Sequence, residues 1–194
     1  VERRALNFLP TDDGRYLLTG EGRTKAEIAK FSEKDAAAYD AYNAELDAVT
    51  DVLRDLVLQQ PPNLVQGWTA RSLREALRLA FVGKRLRRLD MERQRALLDL
   101  FAKSAADYLE RFFESDPIKA VLGFDAVVGN YASPYTPNSA YVLLHHCFGE
   151  VNGKKGIWGH AIGGMGAITQ AMAKSAQAQG ADIETKAGAR EVII

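Results

Sequence analysis

Between Gly22 and Pro61 the chain carries neither glycine nor proline. Within that stretch Ser32 is followed three residues later by Asp35, a pair resembling a capping box, and the apolar residues Tyr39, Tyr42, Leu46, Val49, Leu53, Leu56 and Val57 recur every three or four positions. That spacing lines up one apolar face on a helix, so the sequence predicts a long helix from Ser32 toward Pro61-Pro62. A one-faced helix of this length cannot stand alone and calls for partners that cover the face.

Those partners follow in the sequence. A second helix is predicted to start near Thr69 or Ser72 and to run past Leu79 into Lys84, Arg85, Arg87 and Arg88. A third begins near Asp90 and carries Leu97, Phe101, Ala105, Tyr108 and Phe112 at helical spacing. Ser115-Asp116-Pro117 places a capping side chain ahead of a proline, which predicts a fourth helix over 117–128 ending at Gly129. Together these make one bundle-like layer.

Strands frame the helices. Apolar runs at 6–9 and 16–18 flank Pro10-Thr11-Asp12-Asp13-Gly14, a hairpin pattern, and Thr24 caps a short helix over 26–31. The unbroken run 140–148 reads as a strand, followed by a turn at Val151-Asn152-Gly153-Lys154 and strand again through Ile157 and Trp158. A helix over 167–178, a stop at Gly180 and short strands at 182–185 and 191–194 complete the chain. The expected fold class is α+β and mostly helical.

Composition removes whole classes of function. The 25 Lys+Arg balance the 25 Asp+Glu, the pI is near 7.0, and the 47% hydrophobic and 26% charged residues are an ordinary globular mix. Charge balance argues against nonspecific binding to nucleic acid or to an anionic membrane, so neither is expected as a partner. The one cysteine, Cys147, can form no internal disulfide and suits a reducing compartment, so a cytoplasmic location is expected. Val1 in first place and the strand-like Glu191-Val192-Ile193-Ile194 in last place lead us to expect a segment of a longer chain.

Few motifs carry chemistry on pattern alone. Gly163-Gly164-Met165-Gly166 precedes a helix, where backbone without Cβ atoms approaches a flat or anionic cofactor closely, yet a glycine turn there needs no ligand. Neither Gly-x-Gly-x-x-Gly nor Gly-Lys-Ser/Thr occurs. His145 and His146, as strand neighbours, point to opposite faces, which argues against a shared metal and leaves one histidine buried with a hydrogen bond and the other exposed. The same alternation keeps His146 from activating Cys147, which reads as a buried small hydrophobe. The basic cluster from Lys84 to Arg88, with Arg93 and Arg95, lies near Glu75, Asp90, Glu92 and Asp99 and reads as a solvated face of weak pairs.

Several stretches in order change the reading: Phe113-Glu114-Ser115-Asp116-Pro117-Ile118-Lys119-Ala120, Ser133-Pro134-Tyr135-Thr136-Pro137, Tyr141-Val142-Leu143-Leu144-His145-His146 and Gly163-Gly164-Met165-Gly166-Ala167. Together they resemble the phytoene dehydrogenase-related FAD-dependent oxidoreductases. That group includes proteins named for a pyridine nucleotide-disulphide oxidoreductase domain and is more distantly similar to flavin amine oxidases and carotenoid desaturases. The resemblance is strongest over 89–194. It implies a substrate-side, largely helical domain at 1–160 and a return segment of a Rossmann-like flavin-binding domain at 161–194.

The resemblance also implies site residues. Gly163, Gly164, Met165 and Gly166 would lie near FAD, and Ala189 would stand where the family usually carries Val beside the adenine. Tyr141, His145, Trp158 and His160 are the residues expected to line the substrate side. No metal site is expected. The implied activity is oxidation or desaturation of a hydrophobic or amine-like small molecule by hydride transfer to flavin, with this segment inactive by itself and holding FAD weakly. Its implied partners are the flavin-binding part of the same protein and, through exposed cut edges, other copies of itself. The alternative from a different class is a non-catalytic helical interaction module whose grooves bind a partner protein.

Overall fold

The structure is a computed structural model that describes residues 1–57 and 70–193. It is mostly helical, of the α+β class, and divides into two compact units, Arg4–Trp158 and a smaller one made of Val1–Arg3 with Gly159–Ile194.

The larger unit opens with β1 (Phe8–Pro10) and β2 (Tyr16–Leu18), antiparallel with Phe8 opposite Leu18, and Gly14 takes the positive φ of 81° that the connecting turn needs. A short helix, α1 (Thr24–Ala29), leads to α2 (Glu33–Val57). The predicted cap is formed, because the Ser32 hydroxyl accepts the Asp35 N–H at 3.1 Å. Then come α3 (Ala70–Leu86), α4 (Met91–Ala102), α5 (Ala105–Leu109) and α6 (Asp116–Asp125). A 3-10 turn at Ser139–Tyr141 runs into α7 (Val142–Phe148), and a small hairpin, β3 (Glu150–Val151) with β4 (Lys154–Lys155), follows. Asn152 and Gly153 both have positive φ, 54° and 78°, the requirement of the tight hairpin turn read from the sequence.

The core forms along one face of α2. Tyr42, Leu46 and Val49 are buried there, with Leu100 of α4, Tyr108 and Leu109 of α5, Ile118 of α6 and Leu144 of α7 in the same cluster. The Tyr42 ring meets Phe112 and Phe113 edge-on at 5.4 and 5.2 Å. Tyr108 is wholly buried, and its hydroxyl donates to Glu45 Oε1 at 2.6 Å, which also receives Arg111.

Two polar contacts fix what α2 carries at its ends. Asp35 is completely buried, and its carboxylate accepts the N–H groups of Glu114 and Ser115 at 2.8 Å each, and the Ser115 hydroxyl as well. These donors head α6, whose first N–H groups have no partner within the helix. Near the other end, Arg54 donates to the carbonyls of Cys147 (2.9 Å) and Phe148 (3.0 Å), the last turn of α7, where a cation also meets the negative end of the helix dipole.

Several expectations need correction. Residues 140–148 form no strand. Ala140, Leu143, Leu144 and Cys147 fall at helical spacing and face the core, a solution equally open to a short apolar run with one β-branched residue. His145 and His146 therefore do not point apart, and their ring centroids lie 5.3 Å from each other. The third helix is two helices. Lys103 is extended (ψ 163°) and the Ser104 hydroxyl accepts the Asp107 N–H at 3.1 Å, so a fresh cap starts α5 while the apolar spacing runs on across the break. The fourth helix stops at Asp125 rather than at 128. Ile157 and Trp158 form no strand. Pro61-Pro62 and Thr69 lie outside the described residues.

In the smaller unit Gly159 makes an isolated antiparallel bridge to Glu2, and α8 (Met165–Ala178) ends before Gly180 at φ 88°. Residues 182–193 have no regular secondary structure, so the strands expected at 182–185 and 191–193 are not formed; a strand needs a neighbour for its backbone groups, and no described strand pairs with them. Ile194 lies outside the described residues.

Asp35→Ala should lower the stability of the chain by about 2–4 kcal/mol, because two backbone donors lose a charged acceptor, and Asp35→Asn by roughly half of that. Arg54→Met should cost about 2–3 kcal/mol by the same reasoning at α7. The denaturant midpoint of each variant, at an unchanged slope, checks both values.

Candidate functional site

In the larger unit the C-terminal ends of α6 and α7 bring an acid and a base together. His146 Nε2 lies 2.8 Å from the carbonyl oxygen of Asp125 and 4.0 Å from its Oδ1. A neutral ring that donates from Nε2 to this carbonyl keeps Nδ1 as an acceptor. Burial pushes the Asp125 carboxyl above the ordinary carboxylate range, opposed by the neighbouring His146 and by a hydrogen bond to Asn7.

Aromatic rings complete the cluster. Trp158 stacks on His146 with centroids 5.2 Å apart and planes 29° apart, and His145 meets the same indole edge-on at 6.1 Å. Of the two histidines, His146 is partly buried and hydrogen-bonded and His145 is exposed, as the plainer sequence reading has it.

A cavity of about 170 Å³ opens beside the pair, lined among others by Asn7, Tyr39, Tyr42, Asp125, His146 and Cys147. That volume suits a few waters or a small organic molecule. Burial raises the Tyr42 hydroxyl well above its usual range and pushes the Cys147 thiol up to about 11, so both stay protonated at neutral pH. The Cys147 Sγ lies 3.7 Å from the Leu143 carbonyl, one turn back along α7.

The residues singled out from the sequence fall in both units. Tyr141, at the start of α7, is 46% exposed and stacks on Phe101 at 6.1 Å, while His145 and Trp158 are in contact. These three belong to the larger unit. His160 belongs to the smaller one, where its Nε2 accepts from Arg3 Nε at 2.6 Å and its N–H donates to the Val1 carbonyl at 2.8 Å.

Gly163 and Gly164 have positive φ of 87° and 76°, and Gly164 is the N-cap of α8. Met165 is 83% exposed, and a Cβ placed on Gly164 or Gly166 would meet nothing within 4 Å. The turn thus presents open backbone at a helix N-terminus, and Ala189 is exposed in the irregular segment. Sequence reasoning missed Asp125, Asn7 and Tyr42. Asp125 stands 21 residues before His146, and no local spacing signals their meeting.

Over 191 residues, 96% of its length, the chain is 36% identical to the mouse (Mus musculus) pyridine nucleotide-disulfide oxidoreductase domain-containing protein 2, of which the match covers 32%. It is 37% identical over 177 residues to the rat (Rattus norvegicus) protein of the same name, covering 89% of this chain and 30% of that protein. An uncharacterized protein of Mycobacterium tuberculosis is 36% identical over 75 residues, 38% of this chain. No protein-family model matches the chain. No solved structure matches it. The chain thus spans about a third of the length of the two mammalian proteins, and across that third it is related to proteins named for a pyridine nucleotide-disulfide oxidoreductase domain.

Proposed function

We infer that this chain is the substrate-side, largely helical part of an FAD-dependent oxidoreductase of the phytoene dehydrogenase-related kind. The observation that carries this reading is the 36% identity along 96% of the chain to a protein named for an oxidoreductase domain. The open backbone of Gly164 and Gly166 at the head of α8 fits a flat cofactor approaching from outside. FAD, when bound, supplies a hydride acceptor for oxidation or desaturation of a hydrophobic or amine-like molecule.

The chain's own residues have the simpler tasks of this chemistry. Tyr141, His145 and Trp158 offer aromatic surface to an apolar substrate. Asp125 and His146 hold a proton beside the cavity, where it can pass to or from a bound small molecule. Chemistry at a dithiol is not something this chain supplies, because Cys147 is its one cysteine.

The absorption spectrum of the full-length protein, set beside that of this chain, tests the reading. A flavin spectrum in the full-length protein and none in this chain alone is expected; a colourless full-length protein would contradict it. Gly166→Leu in the full-length protein should weaken flavin retention by about tenfold or more with the fold intact, since the added side chain points into open space. Alkylation of Cys147 should follow a midpoint near 11 instead of the usual value of about 8.5, and the stability linked to the raised thiol should be complete below about 8.5 and decline as pH rises toward 11.

A further inference from the structure

Helix α3 wears its amphipathic pattern inside out. Its partly buried positions include Ser72, Glu75, Arg78, Val82 and Arg85, whereas Leu73, Leu77 and Phe81 are 64%, 66% and 57% exposed. The three fall at spacings of four and form one line over two turns on the outer side. Single exposed leucines are ordinary, but a continuous line of large apolar groups on a helix is not.

The same helix concentrates charge in a chain of zero net charge. Residues 70–89 hold seven Lys and Arg against the single acid Glu75. Lys84 comes seven residues after Leu77 and continues the apolar line, and Arg88 follows in the turn just past the end of α3. Arg74 and Arg87 stand on its two flanks, and all four cations are exposed. The Arg87 N–H still donates to the Gly83 carbonyl at 3.0 Å, so the helical direction holds to that point. Arg85 lies over the Phe81 ring at 4.9 Å and covers part of its face with cationic carbon and nitrogen.

We propose that α3 is a docking helix for an anionic lipid bilayer, with Leu73, Leu77 and Phe81 entering the boundary between headgroups and acyl chains while Arg74, Lys84, Arg87 and Arg88 meet anionic headgroups. Charge decides the occupant. A second copy on this face would bring two strongly cationic helices together, which repel. A bilayer rich in anionic lipid complements the cations and receives a convex apolar line without demanding a matching groove. The helix lies on the surface, for no helix among the described residues is long and apolar enough to cross a membrane. This surface stands independently of the flavin reading.

Co-sedimentation of the chain with vesicles of equal parts phosphatidylcholine and phosphatidylglycerol, and with phosphatidylcholine alone, tests the proposal. Binding to the mixed vesicles that weakens with salt, and far weaker binding to phosphatidylcholine, is expected. Leu77→Glu with Phe81→Glu should reduce binding by about tenfold or more, as should Arg87→Gln with Arg88→Gln, with circular dichroism unchanged because all four side chains are exposed. No binding to the mixed vesicles at low salt, or binding by both double variants as strong as that of the unaltered chain, would overturn it. So would retention on an immobilised acidic protein without vesicle binding, or a change from dimer to monomer in the glutamate variant without loss of vesicle binding.

Discussion

The burial of Tyr42, Leu46 and Val49 along one side of α2 sets the positions of the other helices that build the core, at about 1.5–3 kcal/mol for each fully covered side chain. Apolar contact alone is not directional, and it is the charged groups at either end of that face that give register. Asp35 holds the start of α6, and Arg54 holds the end of α7. Along the helix these two residues stand roughly 28 Å apart at 1.5 Å per residue. Between them the contacts of α4, α5, α6 and α7 are shared on one surface, so α2 acts as a beam clamped at both ends.

The candidate site inherits its geometry from the clamps. Asp125 closes the helix that Asp35 starts, and His146 lies in the turn whose carbonyls accept from Arg54. Their 4.0 Å approach is therefore fixed by contacts on α2 rather than by the pair's own attraction. That separation of duties leaves the carboxyl and the imidazole facing a cavity where Tyr42 and Cys147 stay neutral through burial and Asp47 adds a second carboxyl to the lining. The glycine turn that leads into α8 belongs to the smaller unit, where Gly164 presents bare backbone.

What could be read from the sequence was local. The periodicity from Tyr39 to Leu53 identified α2, Ser32 its cap, Asn152-Gly153 a tight hairpin, and Gly180 the end of α8. Residues 140–148 misled because a short apolar run satisfies both a strand and a helix, and only the core against which it packs decides. The break at Ser104 was hidden because the apolar spacing crosses it without interruption. The contacts that organise the site link positions far apart in the chain, Asp35 with Ser115, Arg54 with Cys147 and Asp125 with His146, and distant pairs of this kind leave no periodic trace. The exposed line on α3 belongs to the same class: the sequence predicts a helix there and reads its basic end as a solvated face, and only the fold shows Leu73, Leu77 and Phe81 facing outward.

The larger unit is a helical body built on α2, and the glycine turn before α8 belongs to the smaller unit. The rigidity of that body is the claim on which both the acid-base pair and the outward face of α3 rest. Native-state amide hydrogen exchange across the larger unit tests it most directly. The account predicts that α2, α6 and α7 open together, with a common free energy equal to that of global unfolding. Exchange of α7 at a clearly lower free energy than α2, with Arg54 in place, would contradict it.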